Sequence, residues 1–127
     1  MKLAYVDTSC LVAIAFNETG ARGMAFRLRR FDRLFSSNLL EAELRSALVR
    51  EGVRDQAKGL LSWITWIFPN RTLTREFDRI TAAGYVKGAD MWHLANALFL
   101  APGGKGLAFL TLDKRQKAIA SKLGFAS

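Results

Sequence analysis

Two short apolar runs in this chain end in an aspartate. Leu3 to Val6 runs into Asp7, and Leu107 to Leu110 runs through Thr111 and Leu112 into Asp113. An acid at the carboxyl end of a buried strand, beside a helix N-terminus, lies where open α/β sheets place their ligand sites. It is also a good helix cap. Asp7-Thr8-Ser9 offers three capping side chains before the apolar run Cys10 to Phe16, so cap and site both stand as readings of Asp7. Asp90 opens the apolar segment Met91 to Leu100, stacked over Leu94 and Ala97, where a dipole-favourable acid is the ordinary explanation. His93, the one histidine, follows three residues later. A two-ligand metal site with Asp90 is conceivable, and a packing histidine is the simpler reading.

A fourth acid is singled out by its neighbours. Leu40, Leu44, Ala47 and Leu48 repeat at helical spacing, with Glu41 and Glu43 flanking them on opposite sides. Glu41 has Arg45 four residues on, in the favourable orientation for a surface ion pair. Glu43 has only Leu39, Leu40 and Ala47 at contact spacing. A carboxylate bordering a core without a partner is costly unless something distant satisfies it. Snorkelling into solvent is the alternative. Other chemistries find little support. A single cysteine, Cys10, excludes an internal disulfide and a cysteine-based zinc cluster. Pro102-Gly103-Gly104-Lys105-Gly106 lacks the spacing and the Ser or Thr of a phosphate-binding loop.

The elements that must position these acids alternate along the chain. The sequence predicts a strand at Leu3–Val6, a helix over Cys10 to Phe16, and a basic helix over Ala21 to Phe31 with Met24, Phe26 and Leu28 partly inward. A brief strand at Arg33 to Ser36 follows, then a helix over Leu39 to Glu51 capped by Ser37-Asn38 and stopped by Gly52. Arg54 to Ile67 reads as a further helix with Leu60, Trp63, Ile64 and Ile67 on one face. Leu61 and Trp66 fall off that stripe, which predicts a second contact surface. A strand or extended link at Arg71 to Leu73, a helix over Arg75 to Ala83, the Met91–Leu100 helix, a buried strand at Leu107 to Thr111 and a basic helix over Lys114 to Lys122 complete the series. Such alternation predicts a parallel α/β sheet covered by helices on both faces.

At 127 residues, half of them apolar, the chain is long enough for one domain with a substantial core. A strand beginning at residue 2 or 3 leaves no room for a signal peptide, no apolar stretch is long enough to span a bilayer, and cysteine usage fits a reducing compartment. The cytoplasm is the expected location. The net charge of +8 points to a polyanionic partner. Its basic residues fall in groups: Arg22, Arg27, Arg29, Arg30 and Arg33; Arg71, Arg75 and Arg79; and Lys114, Arg115, Lys117 and Lys122. Each group taken singly is equally an ordinary solvated face.

Four segments, in order, resemble the PIN domain family, and within it the VapC toxins of prokaryotic toxin–antitoxin pairs. They are Tyr5-Val6-Asp7-Thr8-Ser9, Ser37 to Leu48 with Glu43-Leu44-Arg45-Ser46-Ala47-Leu48, Ala89-Asp90-Met91-Trp92-His93-Leu94-Ala95, and Leu110-Thr111-Leu112-Asp113. The resemblance implies a single PIN-like domain over residues 1–127, a three-layer α/β/α sandwich around a short central parallel sheet. It implies that Asp7, Glu43, Asp90 and Asp113 form one catalytic pocket holding Mg2+ or Mn2+ and hydrolysing RNA phosphodiester bonds, with Ser9 and Thr111 in support. Glu43 rather than Glu41 matches the family pattern, and His93 matches a common residue with no usual metal role. Trp92 is bulkier than the usual occupant, and no further acid adjoins Asp113. An RNA substrate, a cognate antitoxin and a homodimer are the implied partners. Arg22, Arg27, Arg30, Lys114 and Arg115 are the candidates for RNA contact, and Leu61, Trp66 and the basic second helix for protein contact. The alternative is a catalytically weak RNA-binding or regulatory PIN module. A phosphatase-like α/β enzyme would need a nucleophile or phosphate loop that the chain lacks.

Four carboxylates in one pocket would repel, by about 4 kcal/mol for two unit charges ~4 Å apart at an effective dielectric of 20. Such a pocket calls for a cation with hard oxygen ligands. With those four set aside, the remaining seven acids face 19 basic residues, a surface suited to an RNA backbone.

Overall fold

The computed structural model describes residues 1–127. Strand β1 (Leu3–Val6) leads into helix α1 (Thr8–Ala15) and then α2 (Ala21–Leu28). Strand β2 (Arg33–Ser37) runs directly into α3 (Asn38–Arg50). A 3-10 turn at Arg54–Gln56 precedes α4 (Ala57–Leu61), strand β3 (Ile64–Ile67) and α5 (Thr74–Ala83). Helix α6 (Gly88–Leu100), strand β4 (Leu107–Leu110) and α7 (Lys114–Lys122) complete the chain. The four strands form one parallel sheet in the order β3-β2-β1-β4, so β1 is central and pairs with both β2 and β4.

Period-2 alternation sorts the strand residues between two cores. Ala4, Val6, Leu34, Ile64, Ala108 and Leu110 face α1 to α4 with Leu11, Leu40, Leu44 and Leu48. Tyr5, Ile67, Leu107 and Phe109 face α5 to α7 with Leu73, Ile80, Leu94, Leu98 and Ile119. Helices thus cover both faces, giving the three-layer α/β/α sandwich of a PIN-like fold. Because all strands are parallel, their carboxyl ends lie on one edge, and Asp7 and Asp113 both follow strands there.

The expected helix over Arg54 to Ile67 is instead a 3-10 turn, a five-residue helix and β3. The apparent helical stripe of Leu60, Trp63, Ile64 and Ile67 competes with a β-branched and aromatic run, Ile64-Thr65-Trp66-Ile67. That run finds a parallel partner in β2, with Leu34 opposite Ile64 and Ser37 opposite Ile67. Leu61 is consequently buried in the core, and half-buried Trp66 packs against the same core. Neither forms the separate contact surface that a helical register predicts. Helix α2 is shorter than expected and turns Ala21, Met24 and Leu28 inward, leaving Phe26 65% exposed. Phe26 lies two residues from both Met24 and Leu28, on the far side of a helix. Arg71 to Leu73 is irregular rather than a strand, and Ser37 occupies the cap position of α3 without a side-chain capping bond.

The segment after α7 returns to the sheet, where the Phe109 amide donates to the Ala126 carbonyl at 2.8 Å. Its course depends on two glycines in contact. Gly104 has φ +75°, and a Cβ there would lie 2.6 Å from the Gly124 carbonyl carbon. Gly104→Ala is expected to cost at least about 1–2 kcal/mol from the left-handed backbone alone, lowering Tm by roughly 3 °C or more. Gly103→Ala, with nothing within 4 Å of its Cβ, is the control and should melt like the wild type.

Candidate active site

The carboxyl edge of the sheet brings the four acids together from separate elements. Asp7 ends β1 and caps α1, accepting from the Ser9 amide at 3.1 Å, so cap and site position coincide in one buried residue. Asp113 caps α7 in the same way, accepting from the Gln116 amide at 2.8 Å. Asp90 sits in the first turn of α6. Asp90 and Asp113 line one cleft of about 130 Å³ with Tyr85, Val86, Lys87 and Arg115. Glu43 arrives from α3, on the other side of the sheet.

A buried polar network connects them. Thr111 accepts from the Asp113 amide at 3.1 Å, and its hydroxyl lies 2.7 Å from Gln116 Oε1 and 3.2 Å from Asp7 Oδ2. With one proton to give, Thr111 donates best to Gln116. That orients the Gln116 amide nitrogen toward Asp7 Oδ1 and the Asp90 carbonyl, both at 3.4 Å. Ser9 accepts from the Leu112 amide at 3.1 Å and lies 3.4 Å from the Thr111 hydroxyl, tying α1 to the end of β4. Ser9 and Thr111 therefore border the acids as supporting residues.

Glu43 is satisfied from a distance. Its Oε1 accepts from the Thr8 hydroxyl at 2.7 Å and lies 2.9 Å from His93 Nε2, which is also 3.7 Å from Asp7 Oδ1. The hydrogen bond from His93 holds the Glu43 carboxyl below its usual range, against the opposing effect of burial and with a smaller contribution from Thr8. The other ring nitrogen, Nδ1, lies 2.6 Å from the Tyr5 hydroxyl, which accepts from the Ser37 amide at 3.1 Å. Burial drives the Tyr5 pKa upward, so its hydroxyl keeps a proton to donate to Nδ1. This leaves Nε2–H facing Glu43, a tautomer fixed by the tyrosine. Glu41, by contrast, is paired with Arg45 at 2.7 Å and accepts from Asn38 at 3.0 Å, as its i,i+4 spacing indicates.

Asp90 differs from its companions in having no side-chain hydrogen bond to any donor. Burial first, and then the charges of Asp7 and Asp113, push its pKa up. The donor set is all hard oxygen, and like charge collects there with Asp90 left without a donor, which suits a divalent cation. No three His, Cys, Asp or Glu side chains are grouped tightly enough to form a ready-made metal shell. Cys10 is buried, its thiol pushed up to about 12 chiefly by burial, and offers no nucleophile.

The predicted RNA contacts divide. Arg115 lies on the rim of the acid cleft, and Lys114 is exposed beside it on α7. Arg27 and Arg30 line a different cavity, of about 420 Å³, with Lys2, Leu3, Gly106 and Leu107 at the amino ends of β1 and β4. They are not brought together with the acids. Arg22 is exposed on the first turn of α2. Thr8, Gln116, Tyr85 and Lys87 were not legible as site residues. Thr8 reads as a cap and Gln116 carries no signal, while His93 had one in its spacing from Asp90.

A three-layer sandwich with acids from several elements at the carboxyl edge of a parallel sheet defines an α/β protein with its candidate site where open sheets bind ligands. The family model for the PIN domain matches residues 4–122, and the chain belongs to that family. PIN domains are generally metal-dependent nucleases. Comparison with curated proteins and with solved structures returns no match.

The raised pKa of Asp90 gives a signed expectation for the metal-free protein. The folded state binds this proton more readily than the unfolded chain, so stability is lost as pH rises from the usual carboxylate range through the folded-state titration. In EDTA, Asp90→Asn should melt above the wild type at neutral pH, and the difference should shrink below pH ~4, where the wild-type acid is also neutral. Melting curves across pH decide it: an equal or lower Tm at neutral pH would show that Asp90 carries no repulsive burden.

Proposed function

We propose that this chain, acting as one domain over residues 1–127, is a metal-dependent endoribonuclease that hydrolyses RNA phosphodiester bonds. The carrying observation is that Asp7, Glu43, Asp90 and Asp113 reach one sheet edge, linked through His93, Gln116 and Thr111. Asp7, Asp90 and Asp113, with Glu43, would hold Mg2+ or Mn2+. Such an ion would polarise the scissile phosphate and make a nucleophile of water near neutral pH. The protein's own contribution is positional. Thr8 and His93 keep Glu43 ionised and aimed at the edge, Gln116, oriented by Thr111, holds Asp7, and the α7 cap fixes Asp113. Lys87 and Arg115 border the cleft with positive charge on which a flanking phosphate can rest.

Within that reading, the chain acts as the toxin of a VapBC-type pair, cytoplasmic, homodimeric and held by a cognate antitoxin. Support comes from the four VapC-like segments and from the net charge of +8 around an acidic centre. A catalytically weak RNA-binding or regulatory module is the second reading, favoured by the lack of a tight three-ligand grouping.

Purified protein is expected to cleave structured RNAs in magnesium or manganese and to stop on chelation; full cleavage in excess EDTA would overturn the metal mechanism, and none in either metal would favour the second reading. Glu43→Gln should abolish cleavage with the fold retained. Glu41→Gln should leave it intact, at a stability cost of about 0.2–0.5 kcal/mol for the lost surface pair.

A further inference from the structure

Tyr85 is a large aromatic side chain left 68% exposed on the rim of the acid cleft. It belongs to neither core and makes no hydrogen bond through its hydroxyl, so the fold does not account for it. The Arg115 guanidinium lies over one face of its ring, 5.5 Å from the centroid, which leaves the ring to present its other face to solvent.

The backbone that carries this ring is anchored. Val86, the next residue, is buried in the α5–α7 core. On the other side, Gly84 packs so closely on α7 that a Cβ there would lie 2.6 Å from Ile119 Cδ1. Lys122 donates to the Ala83 carbonyl at 3.2 Å. Ties before and after Tyr85 anchor its backbone beside the acids, and Arg115 supports one face of its ring. An aromatic face beside a cleft bordered by Lys87 and Arg115 is an arrangement that can hold an unpaired base, since every base has a π-face and stacking needs no sequence.

We propose that Tyr85, backed by Arg115, is a stacking subsite for an unpaired base adjoining the phosphate that enters the acid cleft, with Lys87 and Arg115 holding the neighbouring backbone. This rests on the ribonuclease reading and names the residue through which an unpaired base would be favoured, because a paired base cannot leave its stack to cover the ring.

The test is fluorescence anisotropy at low ionic strength in EDTA, with the probe checked on a gel to be intact after each titration. The probe is an end-labelled mixed-sequence RNA of roughly 12 nucleotides, a length within single-strand footprints, alone and annealed to its complement. Wild type should prefer the single strand. Tyr85→Ala should weaken single-strand binding by about five-fold or more, leave duplex binding and Tm unchanged, and be rescued by Tyr85→Phe or Tyr85→Trp. Wild-type binding to neither RNA, an unaffected Tyr85→Ala, equal loss on both RNAs, or failure of Tyr85→Phe to rescue would each overturn the subsite. If these binding results hold while no metal supports cleavage, the nuclease reading fails and the subsite stands. Cleavage with an indifferent Tyr85→Ala gives the converse.

Discussion

Like charge collected at one edge of a parallel sheet is the constraint on which this structure turns. Each carboxylate must be offset locally or remain a liability, and the four meet that requirement differently. Asp7 and Asp113 are helix caps, so amides at the N-termini of α1 and α7 face them. Glu43 draws on Thr8 and His93. Asp90 has no such donor, and burial together with the neighbouring acids pushes its pKa up. The acid without a side-chain donor is the one whose charge depends most on a cation, while Thr8 and His93 favour the ionised form of Glu43.

The strand and helix alternation, and the strands at Leu3–Val6 and Leu107–Leu110, were legible because continuous apolar runs bounded by turn residues have one comfortable solution, a strand buried on both faces. The segment from Arg54 to Ile67 satisfies both periods, so its sequence favours a helix where the chain forms β3. Only pairing with β2, a contact distant in sequence, decides between them. Glu43 could be preferred to Glu41 because Arg45 supplies Glu41 with a local partner. What satisfies Glu43 lay beyond reach, since Thr8 and His93 come from positions 35 and 50 residues away.

His93 shows why a packing histidine and a site histidine need not be alternatives. It is almost fully buried, as packing requires, and both ring nitrogens are committed to polar partners. Tyr5 fixes one nitrogen and thereby the tautomer, so a residue of the α5–α7 core controls what Glu43 receives. The Tyr5 hydroxyl is itself held by the amide at the end of β2. The orientation of Glu43 therefore depends on the register between β1 and β2 as well as on α3.

Alternation along β1 explains the division of labour. Tyr5 points to the α5–α7 side and Ala4 and Val6 to the other; Asp7, next in the alternation, follows Tyr5 toward the helices that carry Asp90, His93 and Gln116. Glu43 belongs to the opposite layer. The two layers can share a site only beyond the last strand residue, where no sheet intervenes, and the His93–Glu43 hydrogen bond crosses there. A centre built across that edge needs the strands to end together. The registers of β1 with β4 and of β2 with β3 bring Val6 level with Leu110 and Ser37 level with Ile67. Strand length thus sets where the carboxylates meet, and shifting any one strand by a residue would turn its terminal acid or cap toward the wrong layer.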